Sequence, residues 1–137
     1  MLRSDGKIDL LQRVPLFAGC SRRELVQIAR ASDEIDFRPD RALIEEGAAG
    51  QEFFVLIEGS VDVRRKGRKI DELGEGDYFG EVALITDRPR NATVTTTSHV
   101  RALVLTKRKF RQLLAQNPLL AVKVLNSVGE RLPPGQT

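Results

Sequence analysis

The stretch that decides the fold runs from Phe79 to Val94 and reads FGEVALITDRPRNATV. Within it, Gly80 precedes a lone acid, Glu81, and a short apolar run follows. Glycine lets backbone approach a ligand closely, and the apolar run predicts one turn of helix whose free N–H groups face an anion. The guanidinium of Arg90 matches phosphate oxygens, whereas the Glu81 carboxylate only accepts hydrogen bonds and therefore suits sugar hydroxyls. This order predicts a cradle for a small anion that also carries hydroxyls.

Length and composition predict a single globular domain over residues 1–137. Hydrophobic residues make up 41% of the chain and charged residues 30%, and the formal net charge is +3. This basic excess is spread along the chain and is a weak argument for a nucleic-acid partner. The single cysteine, Cys20, excludes an internal disulfide and favours a reducing, cytoplasmic location. No apolar run approaches the roughly 18 residues of a membrane-spanning helix, and we find no signal peptide.

The residues that usually carry catalysis are scarce. His99 is the one histidine of the chain, so neither a pair of histidine ligands nor a zinc cluster is available. No pattern of Gly, Lys and Ser or Thr forms a P-loop. We therefore predict no catalytic residue, no metal ligand and no cofactor. A metal-dependent barrel enzyme is the alternative, and the lone His99 argues against it.

Three zones follow one another along the chain. The first, about residues 7–32, is predicted helical, because Ser21 and Glu24 form a capping box ahead of an apolar-periodic run. The second, about residues 33–105, is predicted to be β structure. The third, about residues 106–132, is predicted helical again.

The β zone consists of short β-prone runs separated by turn residues. Many short strands at this spacing predict an antiparallel sandwich or barrel. The seven runs are Glu34 to Arg38, Ala42 to Glu46, Glu52 to Glu58, Ser60 to Arg65, Arg68 to Leu73, Asn91 to Thr96 and His99 to Leu105.

The C-terminal zone predicts two helices. Thr106 is a good N-cap for the first, and Asn117, followed by a proline, is a good N-cap for the second. Leu120, Val124 and Val128 recur at helical spacing and form an apolar stripe. We expect this stripe to pack on the β zone, with a dimer seam as the alternative.

These motifs resemble those of the cyclic nucleotide-binding domain family, which includes the catabolite activator protein and the regulatory subunits of protein kinase A. Residues 79–94 resemble the phosphate-binding cassette of the family along its full length, and the glycines in Glu46-Gly47, Ile57 to Val61 and Leu73 to Gly80 also match. The resemblance covers about residues 9–132 and is closest to bacterial, stand-alone domains. It implies an α+β, mainly β fold: an eight-stranded antiparallel jelly-roll barrel with an N-terminal helical segment, a short cassette helix and two C-terminal helices.

The resemblance also implies the roles of individual cassette residues. Glu81 would accept hydrogen bonds from the ribose 2′-hydroxyl, and Arg90 would pair with the exocyclic oxygens of the cyclic phosphate. Backbone N–H groups of Gly80, Val82 and Ala83 would bind phosphate or sugar.

Arg88 is the rival of Arg90 for the phosphate. The predicted register favours Arg90, because it opens the strand after Pro89. If Arg90 were instead a surface side chain, it would pair with Glu81 or Asp87.

The residues that would read the base are less well defined. Asn91 occupies the position after the arginine, where relatives have Ala, Ser or Thr, and a Thr there favours cGMP in some of them. Because that Thr is missing, we favour cAMP over cGMP. Val61 and Val63 are candidates to line the base pocket, with core packing as a sufficient alternative. Arg131 of the last helix is the candidate to close over the base, and its alternative is a solvated cation at a helix end.

The function that follows is a regulatory module, not an enzyme. A cyclic nucleotide would bind the cassette and shift the two C-terminal helices, thereby controlling an effector protein or an attached domain. One alternative is a degenerate domain that binds no nucleotide and acts as a scaffold, and another is the sensor part of a transcription regulator. No basic recognition helix follows the β zone, so we expect no direct binding of nucleic acid by this chain. The oligomeric state is left open between monomer and dimer.

Overall fold

The computed structural model describes residues 4–133. In chain order the elements are α1 (Ser4–Arg13), a 3₁₀ turn (Pro15–Phe17), α2 (Arg22–Ala31), β1 (Asp33–Phe37), β2 (Ala42–Ile44), β3 (Glu52–Glu58), β4 (Val61–Arg65), β5 (Arg68–Leu73), β6 (Tyr78–Phe79), α3 (Glu81–Thr86), β7 (Thr93–Thr96), β8 (Val100–Thr106), α4 (Lys107–Gln116) and α5 (Pro118–Arg131). Within the described residues, none of these helices combines the length and the apolar character that crossing a bilayer requires.

The three predicted N-cap residues all stand at helix starts, and two of them make the side-chain cap bond. Ser21 Oγ accepts a hydrogen bond from the Glu24 backbone N–H at 3.2 Å, and the Ser21 N–H donates to Glu24 Oε1 at 2.8 Å, which completes the capping box. Thr106 caps α4 in the same way. Asn117 stands at the predicted N-cap position of α5 with proline after it, but its side chain does not make the cap bond. Its side-chain amide donates backwards to the carbonyl of Leu113 at 2.7 Å, so Asn117 closes the end of α4 while α5 starts at the following proline without a side-chain cap.

The described residues form eight strands in two antiparallel sheets of four. The first sheet has the order β1-β8-β3-β6 and the second has the order β2-β7-β4-β5. All seven predicted runs contain a strand, and no predicted end differs from the observed one by more than two residues. The eighth strand, β6, has only two residues and is held by pairing with β3, so no local pattern indicated it. The α+β class with antiparallel sheets is confirmed, and closure of the two sheets into one barrel stays a prediction.

Two apolar clusters hold these layers together. One lies between the helices and the first sheet and contains Phe53 and Phe110, whose rings stack at 4.6 Å between centroids. The stripe of α5, Leu120, Val124 and Val128, is buried in this cluster, which confirms that it packs inward. The other cluster lies between the two sheets. The helices therefore pack on the first sheet, on the same side of it as α3.

Gly59 makes the close approach between two neighbouring turns possible. Its φ is +89°, and a Cβ atom there would lie 2.2 Å from the carbonyl oxygen of His99 and 2.9 Å from Ser98 Oγ. The adjacent Ser60 N–H donates to Ser98 Oγ at 3.1 Å, so the two turns are hydrogen-bonded at this point. Because both the dihedral and the space exclude a side chain, glycine is required here.

We expect Gly59→Ala to lower the free energy of unfolding by at least about 2 kcal/mol, because the left-handed backbone and the collision with His99 both add strain. Gly74→Ala is the matched control, since a Cβ atom there meets nothing within 4 Å and its φ lies outside the left-handed region. Urea unfolding of both variants measures the difference. Equal midpoints would contradict this account of the turn.

Candidate functional site

A cavity of about 400 Å³ opens between the second sheet, α3 and the C-terminal end of α5. The predicted site residues that line it are Val63, Gly80, Glu81, Val82, Ala83, Arg90, Asn91 and Arg131. Val61 is not among the lining residues: it is fully buried in the cluster between the sheets. Val61 therefore packs in the core, which was the alternative to a role in the base pocket.

Gly80 ends β6 and starts α3 with a φ of +103°. A Cβ atom at this position would lie 2.8 Å from the Glu52 carbonyl oxygen and 3.2 Å from Arg90 Nη1. The glycine of the cassette thus allows β3, the start of α3 and the arginine to meet at one point.

The Arg90 side chain is buried and bonded to backbone. Its Nη1 donates to the Gly80 carbonyl and its Nη2 donates to the Glu52 carbonyl, each at 2.7 Å. The backbone of Arg90 is also fixed, since its N–H donates to the Ala48 carbonyl and its carbonyl accepts from the Gly47 N–H, each at 2.8 Å. The two side-chain bonds orient the guanidinium, and the two backbone bonds fix the main chain that carries it.

The charge of Arg90 is not neutralised by an ion pair with any residue in 4–133. Burial lowers the pKa of the Arg90 guanidinium, and the more distant charges of Glu52 and Glu81 oppose this shift. An arginine nevertheless keeps its proton at neutral pH. A buried cation without a paired anion is costly, so an anion that enters the cavity is stabilised there. The alternative of a surface arginine paired with Glu81 or Asp87 is therefore wrong.

Sequence reasoning missed Gly50, which lies directly against the Arg90 side chain. A Cβ atom at Gly50 would lie 2.7 Å from the Ala83 Cβ and 3.3 Å from Arg90 Cζ. Gly50 therefore lets the loop before β3 pack against both α3 and the guanidinium. The position stands out in the sequence only as one glycine among several, and no local pattern links it to a residue 40 positions further on.

Glu81 is fully buried, and α5 supplies its hydrogen-bond donors. Ser127 Oγ donates to Glu81 Oε1 at 2.9 Å, and Arg131 Nη1 lies 2.9 Å from Oε1 and 3.1 Å from Oε2. Arg131 Nη1 also donates to the Tyr78 carbonyl at 2.8 Å, and its guanidinium carbon lies 4.7 Å from the centre of the Tyr78 ring. Arg131 is thus half-buried and paired, not a solvated helix-end cation.

Asn91 connects β-sheet and helix at the rim of the cavity. Its side-chain Nδ2 donates to the Arg131 carbonyl at 3.3 Å, while its own carbonyl accepts from Arg65 Nε at 2.9 Å. Ser127 and Arg65 were not predicted to belong to the site. Ser127 lies 46 residues from its partner Glu81, and a single serine in a helix carries no signal for such a contact.

The other end of α3 is tied to α4. Asp87 ends the helix with a φ of +57° and accepts hydrogen bonds from Lys107 Nζ at 2.7 Å and Arg111 Nη2 at 2.8 Å. Arg111 Nε also donates to the Leu84 carbonyl at 2.9 Å. Arg88, the rival of Arg90, is exposed on the surface.

Comparison with known proteins identifies this arrangement of elements. The family model of the cyclic nucleotide-binding domain matches residues 34–117. The cAMP-dependent protein kinase regulatory subunit of Eremothecium gossypii is 36% identical over 119 residues, covering 86% of the chain and 26% of that protein. The protein of the same name from Dictyostelium discoideum is 31% identical over 113 residues, covering 77% of the chain and 35% of that protein. The chain thus spans only about a quarter to a third of these curated relatives, both of which are regulatory subunits.

Solved structures show the same fold. The regulatory subunit of a cAMP-independent protein kinase A from Trypanosoma brucei superposes with a TM-score of 0.83 at 28% identity, covering 94% of this chain and 46% of that chain. That chain is named for independence from cAMP, so a shared fold alone does not decide which nucleotide binds.

We expect the Asp87 carboxyl group to titrate near pH 2, because hydrogen bonds from Lys107 and Arg111 lower its pKa from 3.8 to about 2. A carboxyl group whose pKa is lower in the folded state stabilises that state above its unfolded pKa. This stabilisation disappears as pH falls from about 4 to about 2. Carbon-detected NMR of Asp87 measures the titration directly.

Asp87→Asn is the matched variant. It should unfold at lower urea concentration than the parent chain at pH 7, and the difference should shrink as pH approaches 2. A carboxyl group that titrates at its ordinary value would contradict the link between α3 and α4.

Proposed function

The chain belongs to the cyclic nucleotide-binding domain family, and on that basis we propose that it binds a cyclic nucleotide, preferably cAMP, at Arg90 and Glu81. One observation carries the proposal: a buried guanidinium without an ion-pair partner in residues 4–133 lines the same cavity as a buried carboxylate. A cyclic nucleotide carries one anionic phosphate and one free ribose hydroxyl, which are the groups that such a pair of side chains recognises.

Arg90 is the phosphate ligand in this proposal. A guanidinium has five N–H donors, and two are committed to the Gly80 and Glu52 carbonyls, so the others remain for the exocyclic oxygens. Because the protein already orients the group, binding loses little side-chain entropy. Backbone N–H groups of Gly80, Val82 and Ala83 complete the phosphate and sugar contacts.

Glu81 sets the direction of the ligand. A carboxylate accepts hydrogen bonds from ribose hydroxyls and repels phosphate, so the sugar lies toward Glu81 and the phosphate toward Arg90. The base then extends toward the wall that contains Val63 and the end of α5. The preference for cAMP rests on Asn91 in place of the threonine that favours cGMP in some relatives, and on the names of the curated relatives.

In this proposal the two sheets close as a jelly-roll barrel. Ligand binding is transmitted to a partner by the two C-terminal helices. Both ends of α3 contact these helices, Glu81 through α5 and Asp87 through α4. A ligand that changes the position of α3 therefore changes the relative stability of α4 and α5 positions. The partner that senses this shift is an effector, such as a kinase catalytic subunit or an attached domain.

A second candidate function is a scaffold that binds no nucleotide. The observation in its favour is that both key side chains already form hydrogen bonds within the protein, Glu81 with α5 and Arg90 with backbone carbonyls. The unpaired charge of buried Arg90 favours the nucleotide-binding function over the scaffold.

Arg90→Ala should weaken cAMP binding roughly ten- to hundredfold, because charge-assisted hydrogen bonds contribute about 1.5–3 kcal/mol and about 1.4 kcal/mol is tenfold. Isothermal titration calorimetry with cAMP and cGMP measures the affinities, and Arg90→Lys tests whether charge without the planar fork suffices. Arg88→Ala is the matched control and should bind like the parent chain. Equal affinities of Arg90→Ala and Arg88→Ala would refute the phosphate assignment, and binding of neither nucleotide by the parent chain would favour the scaffold.

A further inference from the structure

We propose that the C-terminal end of α5 is a built-in competitor of the nucleotide, with Ser127 and Arg131 occupying the carboxylate of Glu81 that the ribose needs. This proposal rests on the proposed function and adds how access to the same site is regulated. The contacts of these three residues define what we call the α5 latch.

The first argument is access. The side chain of Glu81 has 0% of its surface exposed, so its carboxylate oxygens are covered by protein atoms. A ribose hydroxyl is as large as water and must approach to about 2.5–3.0 Å to form a hydrogen bond. Binding of the sugar at Glu81 therefore requires that protein atoms move away first.

The second argument is chemical likeness. Ser127 offers Glu81 Oε1 one hydroxyl hydrogen bond at 2.9 Å, which is the same O–H to carboxylate interaction that a ribose would offer. Arg131 neutralises the carboxylate charge from the same helix. When a nucleotide binds, its hydrogen bond to Glu81 replaces the one from Ser127. Glu81 therefore adds to the affinity only the difference in free energy between the new bonds and the latch contacts.

The third argument is what holds the latch and what lets it open. The Arg131 side chain is fixed by the Tyr78 carbonyl and ring, and its backbone carbonyl accepts from Asn91 Nδ2 at 3.3 Å. The body of α5 is anchored in the core up to Val128. The smallest movement that opens the latch is therefore one of the last turn of α5, together with rotation of the Ser127 side chain.

Movement of that turn has a direct effect on the cavity. Glu130, Arg131 and Leu132 form part of its wall, so release of the turn widens the entrance. Asn91, which follows Arg90 in the cassette, thereby also holds the latch.

The latch and the lid expected from the family make opposite predictions. If Arg131 closes over the base, its removal weakens binding. If Arg131 competes for Glu81, its removal strengthens binding, even though the variant loses a positive charge that would attract the phosphate. The sign of one affinity change separates the two.

The experiment is calorimetric titration of the full chain, Arg131→Gln and Ser127→Ala with cAMP and with 2′-deoxy-cAMP. We expect both variants to bind cAMP more tightly, Arg131→Gln by at least about fivefold, a typical coupling between competing interactions. The gain should be smaller for 2′-deoxy-cAMP, which has no hydroxyl for Glu81. Lys109→Ala, which removes an exposed positive charge on α4, is the control and should not tighten binding.

The outcomes separate the two proposals. Unchanged or weaker cAMP binding by both variants, with binding by the parent chain intact, overturns the latch and leaves the proposed function standing. Equal gains for cAMP and the deoxy analogue also overturn the latch, since release of Glu81 would then not be the cause. Absence of binding in every variant, with folding verified by circular dichroism, refutes the proposed function and the latch with it. Ser127→Ala decides the question if Arg131→Gln does not fold.

Discussion

The structure depends on one buried guanidinium. Arg90 donates to the carbonyls of Gly80 and Glu52 and thereby joins the start of α3 to β3. Two glycines make room for it, because side chains at Gly80 or Gly50 would collide with the backbone of β3, with α3 or with the guanidinium itself. The loop before β3 and the start of α3 therefore meet at a cation whose positive charge is left for an anion to compensate.

The short helix α3 connects this cation to the rest of the molecule. Its first residue, Glu81, is bound by α5, and the residue that ends it, Asp87, is bound by α4. A helix of six residues with a carboxylate at each end cannot move without changing both contacts. This coupling is the physical basis for the proposed regulation, in which occupation of the cavity is felt at the C-terminal helices.

Local patterns predicted most of the fold but little of the contact network. Alternation and turn residues located seven strands, and capping residues located α2 and α4, because these signals act within a few residues. The two-residue strand β6 and the reversed amide of Asn117 escaped, since tertiary packing alone determines them. In the site, the order of residues singled out Arg90 and Glu81. Pairing of Glu81 with Ser127 and Arg131, 46 and 50 residues away, has no local signature.

The central claim is that Arg90 receives the phosphate of a cyclic nucleotide while the end of α5 gives up Glu81. NMR of the arginine side-chain Nε–H resonances during a titration with cAMP tests both parts in one measurement. The account predicts that the resonances of Arg90 and Arg131 shift together along one saturation curve, because both guanidinium groups change partners in the same event. Resonances of Arg90 and Arg131 that stay in place at millimolar cAMP would contradict it.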